Sequence, residues 1–141
     1  MKNAVIIYQS KGGTTKQFGF EIASILNEHG LTTRVCSVNE CSENDLQKAD
    51  FIFFGCWTKG LMIFAQHPDR EWTNFVSSVK IPETTRIGLF ATYKIATGKM
   101  FSKMKKALPG EQNKELPELK SKNGKVSFKQ SEMMKQFVLH N

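Results

Sequence analysis

Cysteine is scarce in this chain of 141 residues. The three present, Cys36, Cys41 and Cys56, form no C-x-x-C pair and no zinc-ligand spacing. That excludes a zinc ribbon or a disulfide-stapled miniature domain. It makes Cys36 and Cys41 expected small, buried hydrophobes in a reducing, cytoplasmic setting. No apolar run approaches the ~20 residues that a bilayer-spanning helix needs, so no membrane is expected as a partner. The N-terminus enters a strand-like run at once, with no h-region or small-residue cleavage site, so no secretory signal is expected. The patterns G-x-x-x-x-G-K-S/T and G-x-G-x-x-G are both missing, which excludes the triphosphate P-loop and the dinucleotide fingerprint. Residues 94–141 contain no arginine, and only Phe101, Phe128 and Phe137 stand among their charges. Base readout and stacking platforms are poorly supplied, so nucleic acid is not an expected partner.

What is present is a pattern of buried strands and amphipathic helices. Val5-Ile6-Ile7-Tyr8 is a β-branched run of the kind buried on both faces. It stops in Ser10-Lys11-Gly12-Gly13-Thr14-Thr15. A helix follows to about His29, with Phe18, Ile22, Ile25 and Leu26 on one stripe and Gly30 as its stop. A loop between a strand end and a helix N-terminus presents free N–H groups and the positive end of the helix dipole. Hydroxyls add donors, and Gly12-Gly13 permits close approach of the backbone. With no acidic residue in the loop to hold a metal, it suits a phosphomonoester bound without magnesium; an ordinary strand-to-helix turn is the alternative.

Further on, Thr32–Ser37 reads as a less buried strand, and Ser42 caps a short acidic-started helix. Asp50–Gly55 and Arg86–Ala91 are two more apolar strands. Pro68-Asp69 opens a helix with Trp72, Phe75, Val76 and Val79 on its stripe, and Met100, Phe101, Met104, Ala107 and Leu108 mark another, ended by Pro109-Gly110. Residues 109–125 read as a polar excursion, Val126–Lys129 as a short edge strand, and Ser131 as the cap of a last helix. The alternation predicts one α/β domain over residues 1–141. Its doubly wound, mostly parallel sheet would carry helices on both faces. In such sheets ligands lie beyond the carboxyl ends of the strands. The loops that meet there are Ser10–Thr15, Cys56–Gly60 and Thr92–Gly98.

Those loops carry a resemblance to the flavodoxin family. Its phosphate loop, Ser/Thr-x-Ser/Thr-Gly-x-Thr after the first strand, is similar to Ser10-Lys11-Gly12-Gly13-Thr14-Thr15. Gly12 departs from it, standing where the family has a second hydroxyl. The resemblance implies a five-stranded sheet of order 2-1-3-4-5, FMN as cofactor, and an electron carrier working between redox partner proteins as a monomer. It implies that Trp57 and Tyr93 stack on the flavin as inner and outer aromatics. The cofactor-binding set then comprises Ser10 to Thr15, Cys56, Trp57, Thr58, Lys59, Gly60, Thr92, Tyr93 and Gly98. No catalytic residue is expected, and Cys56 has no identifiable histidine base. Thr58 stands where the family often has a glycine after the tryptophan. Lys59 and Lys94 replace its usual acidic surroundings. A lysine about 7 Å from an anionic reduced ring would contribute ~2 kcal/mol at an effective dielectric of 20, raising the low-potential couple.

Charge is unevenly placed. Residues 1–93 carry nine Lys/Arg and nine Asp/Glu; residues 94–141 carry eleven lysines and four glutamates, hence the whole net charge of +7. Such a face suits a partner protein with an acidic docking surface. The competing reading is a flavin-free interaction module on the same fold. Leu61–Ala65 is an apolar stretch with the roles of flavin cover, partner contact and core all open.

Overall fold

The computed structural model describes residues 2–61, 64–109 and 116–139. The run after Lys2 forms β1 (Asn3–Gln9), which leads through loop 10–13 into α1 (Thr14–Glu28). β2 (Thr32–Ser37), α2 (Glu43–Gln47) and β3 (Phe51–Trp57) follow. Next come a hairpin of β4 (Lys59–Leu61) and β5 (Phe64–His67), then α3 (Arg70–Ser78) and β6 (Arg86–Thr92). The chain continues with α4 (Met100–Ala107), β7 (Glu118–Ser121) and α5 (Phe128–Leu139). The main sheet runs β2-β1-β3-β6-β7 with all neighbours parallel. Counting only the strands of this sheet, that is the order 2-1-3-4-5.

Alternate residues of a strand serve opposite faces, and here both faces are covered. Ala4, Ile6 and Tyr8 pack with Phe18, Ile22 and Leu26 of α1 and with Met134 and Val138 of α5. Val5 and Ile7 pack on the other side with Trp72 and Val76 of α3 and Met104 of α4. This explains why β1, β3 and β6 read as unbroken apolar runs. The two strand glycines have a packing purpose. Phe53 pairs with Gly88 and Gly55 with Phe90 across β3 and β6. A methyl on Gly88 would come within 2.7 Å of the Phe53 ring, and one on Gly55 would fall inside the Phe90 ring. Each ring therefore lies over its partner's missing side chain, and Phe90 also meets Phe18 edge-on at 5.8 Å.

Several expected boundaries are corrected. β3 continues through Cys56 and Trp57, because β6 extends to Thr92 and offers them ladder partners. The fifth strand is Glu118–Ser121, not Val126–Lys129. Only Leu119 and Ser121 of it are buried. Its apolar signal is too weak to read, and it forms because the edge of β6 supplies hydrogen-bond partners. Val126 instead packs on the α1 and α5 side of the core. α5 starts three residues before Ser131, and Ser127 caps it, its hydroxyl accepting from Gln130 N–H at 3.2 Å. Cys36 is buried as expected, yet it is joined to Cys41 by a disulfide. Of the apolar stretch Leu61–Ala65, Met62 and Ile63 lie outside the described residues. No helix among the described residues is long and apolar enough to cross a membrane.

Candidate functional site

The β1–α1 loop ends in Gly13, which caps the helix from the left-handed region at φ 92°. A side chain there would be strained. Ser10 Oγ accepts from the N–H of Gly13 at 3.0 Å and of Lys16 at 3.4 Å, so it serves first as a helix cap. The amides of Lys11, Gly12, Thr14 and Thr15 have no acceptor among the described residues. They leave a set of donors at the positive end of α1, the local chemistry of an anion site. Thr15 is buried, and its hydroxyl shares a 2.6 Å hydrogen bond with that of Thr92 at the end of β6. One hydrogen lies between the two oxygens, so the pair retains one hydroxyl hydrogen to donate elsewhere.

The ends of β3 and β6 supply the aromatics. Trp57 pairs with Thr92, and Thr58 N–H donates to Thr92 O at 2.8 Å, fixing the two strand ends side by side. Trp57 is half-buried, with Lys11 Nζ at 5.1 Å and Lys59 Nζ at 6.0 Å over its ring. Tyr93, also half-buried, has Lys122 Nζ at 5.7 Å and Lys120 Nζ at 5.8 Å over its ring. Each such contact is worth ~0.5–1 kcal/mol at an exposed site. The Thr58 hydroxyl is buried and has no hydrogen-bond partner among the described residues.

Loop, strand ends and hairpin enclose an open cleft of about 670 Å³. That is within the ~300–1,000 Å³ usual for small-molecule sites. Lys11, Gly12, Thr14, Thr15, Trp57, Thr58, Lys59, Thr92 and Tyr93 all border it, so most of the expected set is brought together. Ser10 and Gly13 stand behind it as helix cap and turn. Gly60 lies within β4. Gly98 does not border the cleft but backs it, its α-carbon against the buried Gln66 side chain. Cys56 is corrected outright: its side chain is fully buried in the core with Phe54, Trp72 and Val76. Its Sγ accepts from Asp69 N–H at 3.3 Å, and burial pushes the thiol up to about 12.

Gln66, Lys94, Ile95, Ala96 and Lys122 also border the cleft and are absent from the expected set. Ile95 was visible as the apolar residue of the third loop. Gln66 and Lys122 carry no local signal, since the hairpin and β7 bring them in from outside the three loops. The bordering residues include four lysines and no carboxylate. Asp69 stands at the margin, 4.0 Å from Lys59 Nζ. The arrangement suits a ligand that is anionic at one end and flat and aromatic at the other.

Comparison with known proteins bears on the family and the fold. Residues 5–141 match the family described as Flavodoxin domain. No curated protein matches the chain. Oxidised Flavodoxin 1 of Bacillus cereus superposes with a TM-score of 0.65 at 18% identity, over 99% of each chain. The two-electron reduced flavodoxin of Megasphaera elsdenii gives 0.68 at 15%, over 94% of this chain and 96% of that one. Rubredoxin oxygen:oxidoreductase of the anaerobe Desulfovibrio gigas gives 0.68 at 15%, over 96% of this chain but 34% of that one. At such identities the structural likeness speaks for the fold.

Proposed function

The chain belongs to the flavodoxin-domain family, and on that premise we propose that it binds FMN and carries electrons between redox partner proteins as a monomeric single domain. When bound, FMN supplies the one- and two-electron chemistry; the residues of this chain hold, shield and tune it. The observation that carries the reading is the cleft itself, with unpaired helix N-terminal amides at one end and Trp57 and Tyr93 at the other.

The residues fit the group. The amides of Gly12, Thr14 and Thr15, the Thr14 hydroxyl and the free hydrogen of the Thr15–Thr92 pair are suited to phosphate oxygens. Trp57 and Tyr93 are suited to flank a flat ring, and Ile95 to shield it from water. The buried Thr58 hydroxyl lacks a partner among the described residues, and a polar atom of the ligand would remove that deficit. Lys59 and Lys94 at the border favour added negative charge, so the low-potential couple should be less negative than in a cleft ringed by acids. Lys94, Lys120 and Lys122 are exposed, with no carboxylate at ion-pair distance among the described residues. They suit docking of a partner through an acidic face.

The test is a titration of purified protein with FMN, followed by visible absorption and flavin fluorescence. Saturable quenching with a shifted absorption band is expected. An unchanged spectrum across the titration would overturn the reading in favour of a flavin-free interaction module.

A further inference from the structure

We propose that the Cys36–Cys41 pair is a redox-active disulfide, a two-electron site that this chain holds apart from its cleft and that exchanges with dithiols. The two sulfurs are bonded across the turn that follows β2, with a sequence separation of 5. None of residues 36–41 borders the cleft, so the site stands independently of the FMN reading.

The bond adds little as a staple. A cross-link stabilises chiefly by constraining the unfolded chain, and that constraint is weak for a short loop. The turn is also held without it. The N–H groups of Glu40 and Cys41 both donate to Ser37 O at 3.1 Å, and Ser37 N–H donates to Glu40 Oε1 at 3.0 Å. Val38 N–H donates to Tyr8 O at 3.0 Å, tying the turn to β1. Directly after Cys41, Ser42 and Asp45 cap α2 reciprocally. Cutting the sulfur bond removes none of these. A reduced Cys36 also suits its surroundings, because a thiol packs as a small hydrophobe and this one belongs to the core of Val5, Ile7 and Leu46. Both oxidation states therefore fit one fold.

The two sulfurs differ in access, which decides the one that is attacked. Cys36 is 3% exposed, whereas Cys41 is only half-buried. An incoming thiolate of the dithiol therefore bonds to Cys41 Sγ. The bond between the two protein sulfurs breaks, and its electron pair goes to Cys36 Sγ, which takes up a proton. The second thiolate of the dithiol then attacks its partner sulfur and releases Cys41, which is protonated in turn. The dithiol leaves as a disulfide, having lost two electrons and two protons that Cys36 and Cys41 have gained. In the oxidising direction Cys41 is the nucleophile and Cys36 the resolving thiol. Cys56 supplies an internal reference: it is fully buried, so its thiol stays inert while the fold is intact.

The experiment treats air-equilibrated native protein with dithiothreitol, then with iodoacetamide, and locates the label by peptide mass spectrometry. Without dithiothreitol no cysteine should be labelled. With it, Cys41 should be labelled first and Cys36 more slowly, while Cys56 stays unlabelled. A second measurement follows mixed-disulfide formation with glutathione disulfide, with Cys56 labelling again reporting the fold. Cys36→Ala, which keeps Cys41, should react about tenfold or more faster than Cys41→Ala, which keeps Cys36. A pair that resists dithiothreitol until the protein is denatured would overturn the proposal, leaving a structural staple. Labelling of Cys56 together with the pair would overturn it too, since the fold would then depend on the bond. So would label on Cys36 and Cys41 before reduction, which would leave no disulfide to exchange. Equal rates in the two variants would overturn Cys41 as the attacked sulfur.

Discussion

Residues up to Tyr93 and residues from Lys94 onward build the same cleft by different means. The first region is electrically balanced. It contributes three strands buried on both faces and the amides and tryptophan that stand at their ends. The second holds the whole net charge of +7 and contributes one weak edge strand, β7, with alternate burial. Its share of the cleft border is Lys94, Ile95, Ala96 and Lys122. Hydrophobic burial, which is non-directional and large, makes the frame. Lysines from both regions, Lys11 and Lys59 from the first and Lys94 and Lys122 from the second, border the cleft on that frame.

The largest expected contrast is in stability. Phe90→Ala removes the ring that covers Gly55 and meets Phe18, and it should cost about 3–5 kcal/mol. Leu119→Ala in β7, with open solvent beside the edge strand to relax into, should cost about 2 kcal/mol, at the low end for a buried leucine. Urea unfolding of both variants measures this. Equal losses would erase the distinction between frame and edge.

A smaller effect separates the regions by tuning. With FMN bound, Lys59→Gln from the first region and Lys94→Gln from the second should each lower the low-potential couple. A loss of ~1.4 kcal/mol corresponds to ~59 mV, and solvent screening should hold each exposed lysine to roughly a few tens of mV. Spectroelectrochemical titration reads this; a couple unmoved by both changes would remove lysine tuning from either region.

The smallest effect belongs wholly to the first region. The amide of Ser42, and then its hydroxyl, holds the Asp45 carboxyl below its ordinary value, and the Ser37 amide does the same for Glu40. Because these folded values are depressed, the stability they contribute is complete above the ordinary carboxylate range. It fades as pH falls through the lower folded values. An acid unfolding series should show a slight loss there, and Ser42→Ala should remove only the hydroxyl's share of the Asp45 part, because the Ser42 amide remains.

The strands of the first region were legible because Val5–Tyr8, Phe51–Phe54 and Ile87–Ala91 face helices on both sides. Continuous apolar runs follow from that environment. The Ser42 cap and the Gly30 stop were legible for local reasons: a hydroxyl beside an amide and a φ of 87°. The strand Glu118–Ser121 was not legible, since it takes its pairing from β6 rather than from its own side chains. Cys56 was misplaced into the cleft because strand length depends on the neighbouring ladder. The Cys36–Cys41 bond depends on a turn that brings the two sulfurs together.

The sequence by itself determined the alternation of strands and helices, the parallel sheet, the anion-suited loop at 10–15 and the uneven charge. Each of these is a local pattern of burial, capping or composition. Only the tertiary structure decided that Thr15 would pair with Thr92 and Gly98 would stand behind Gln66. It alone brought Lys122 to the border of the cleft, over the Tyr93 ring. Those juxtapositions join residues far apart in the chain, and only the packed sheet, by fixing where each strand ends, brings them within reach of one another.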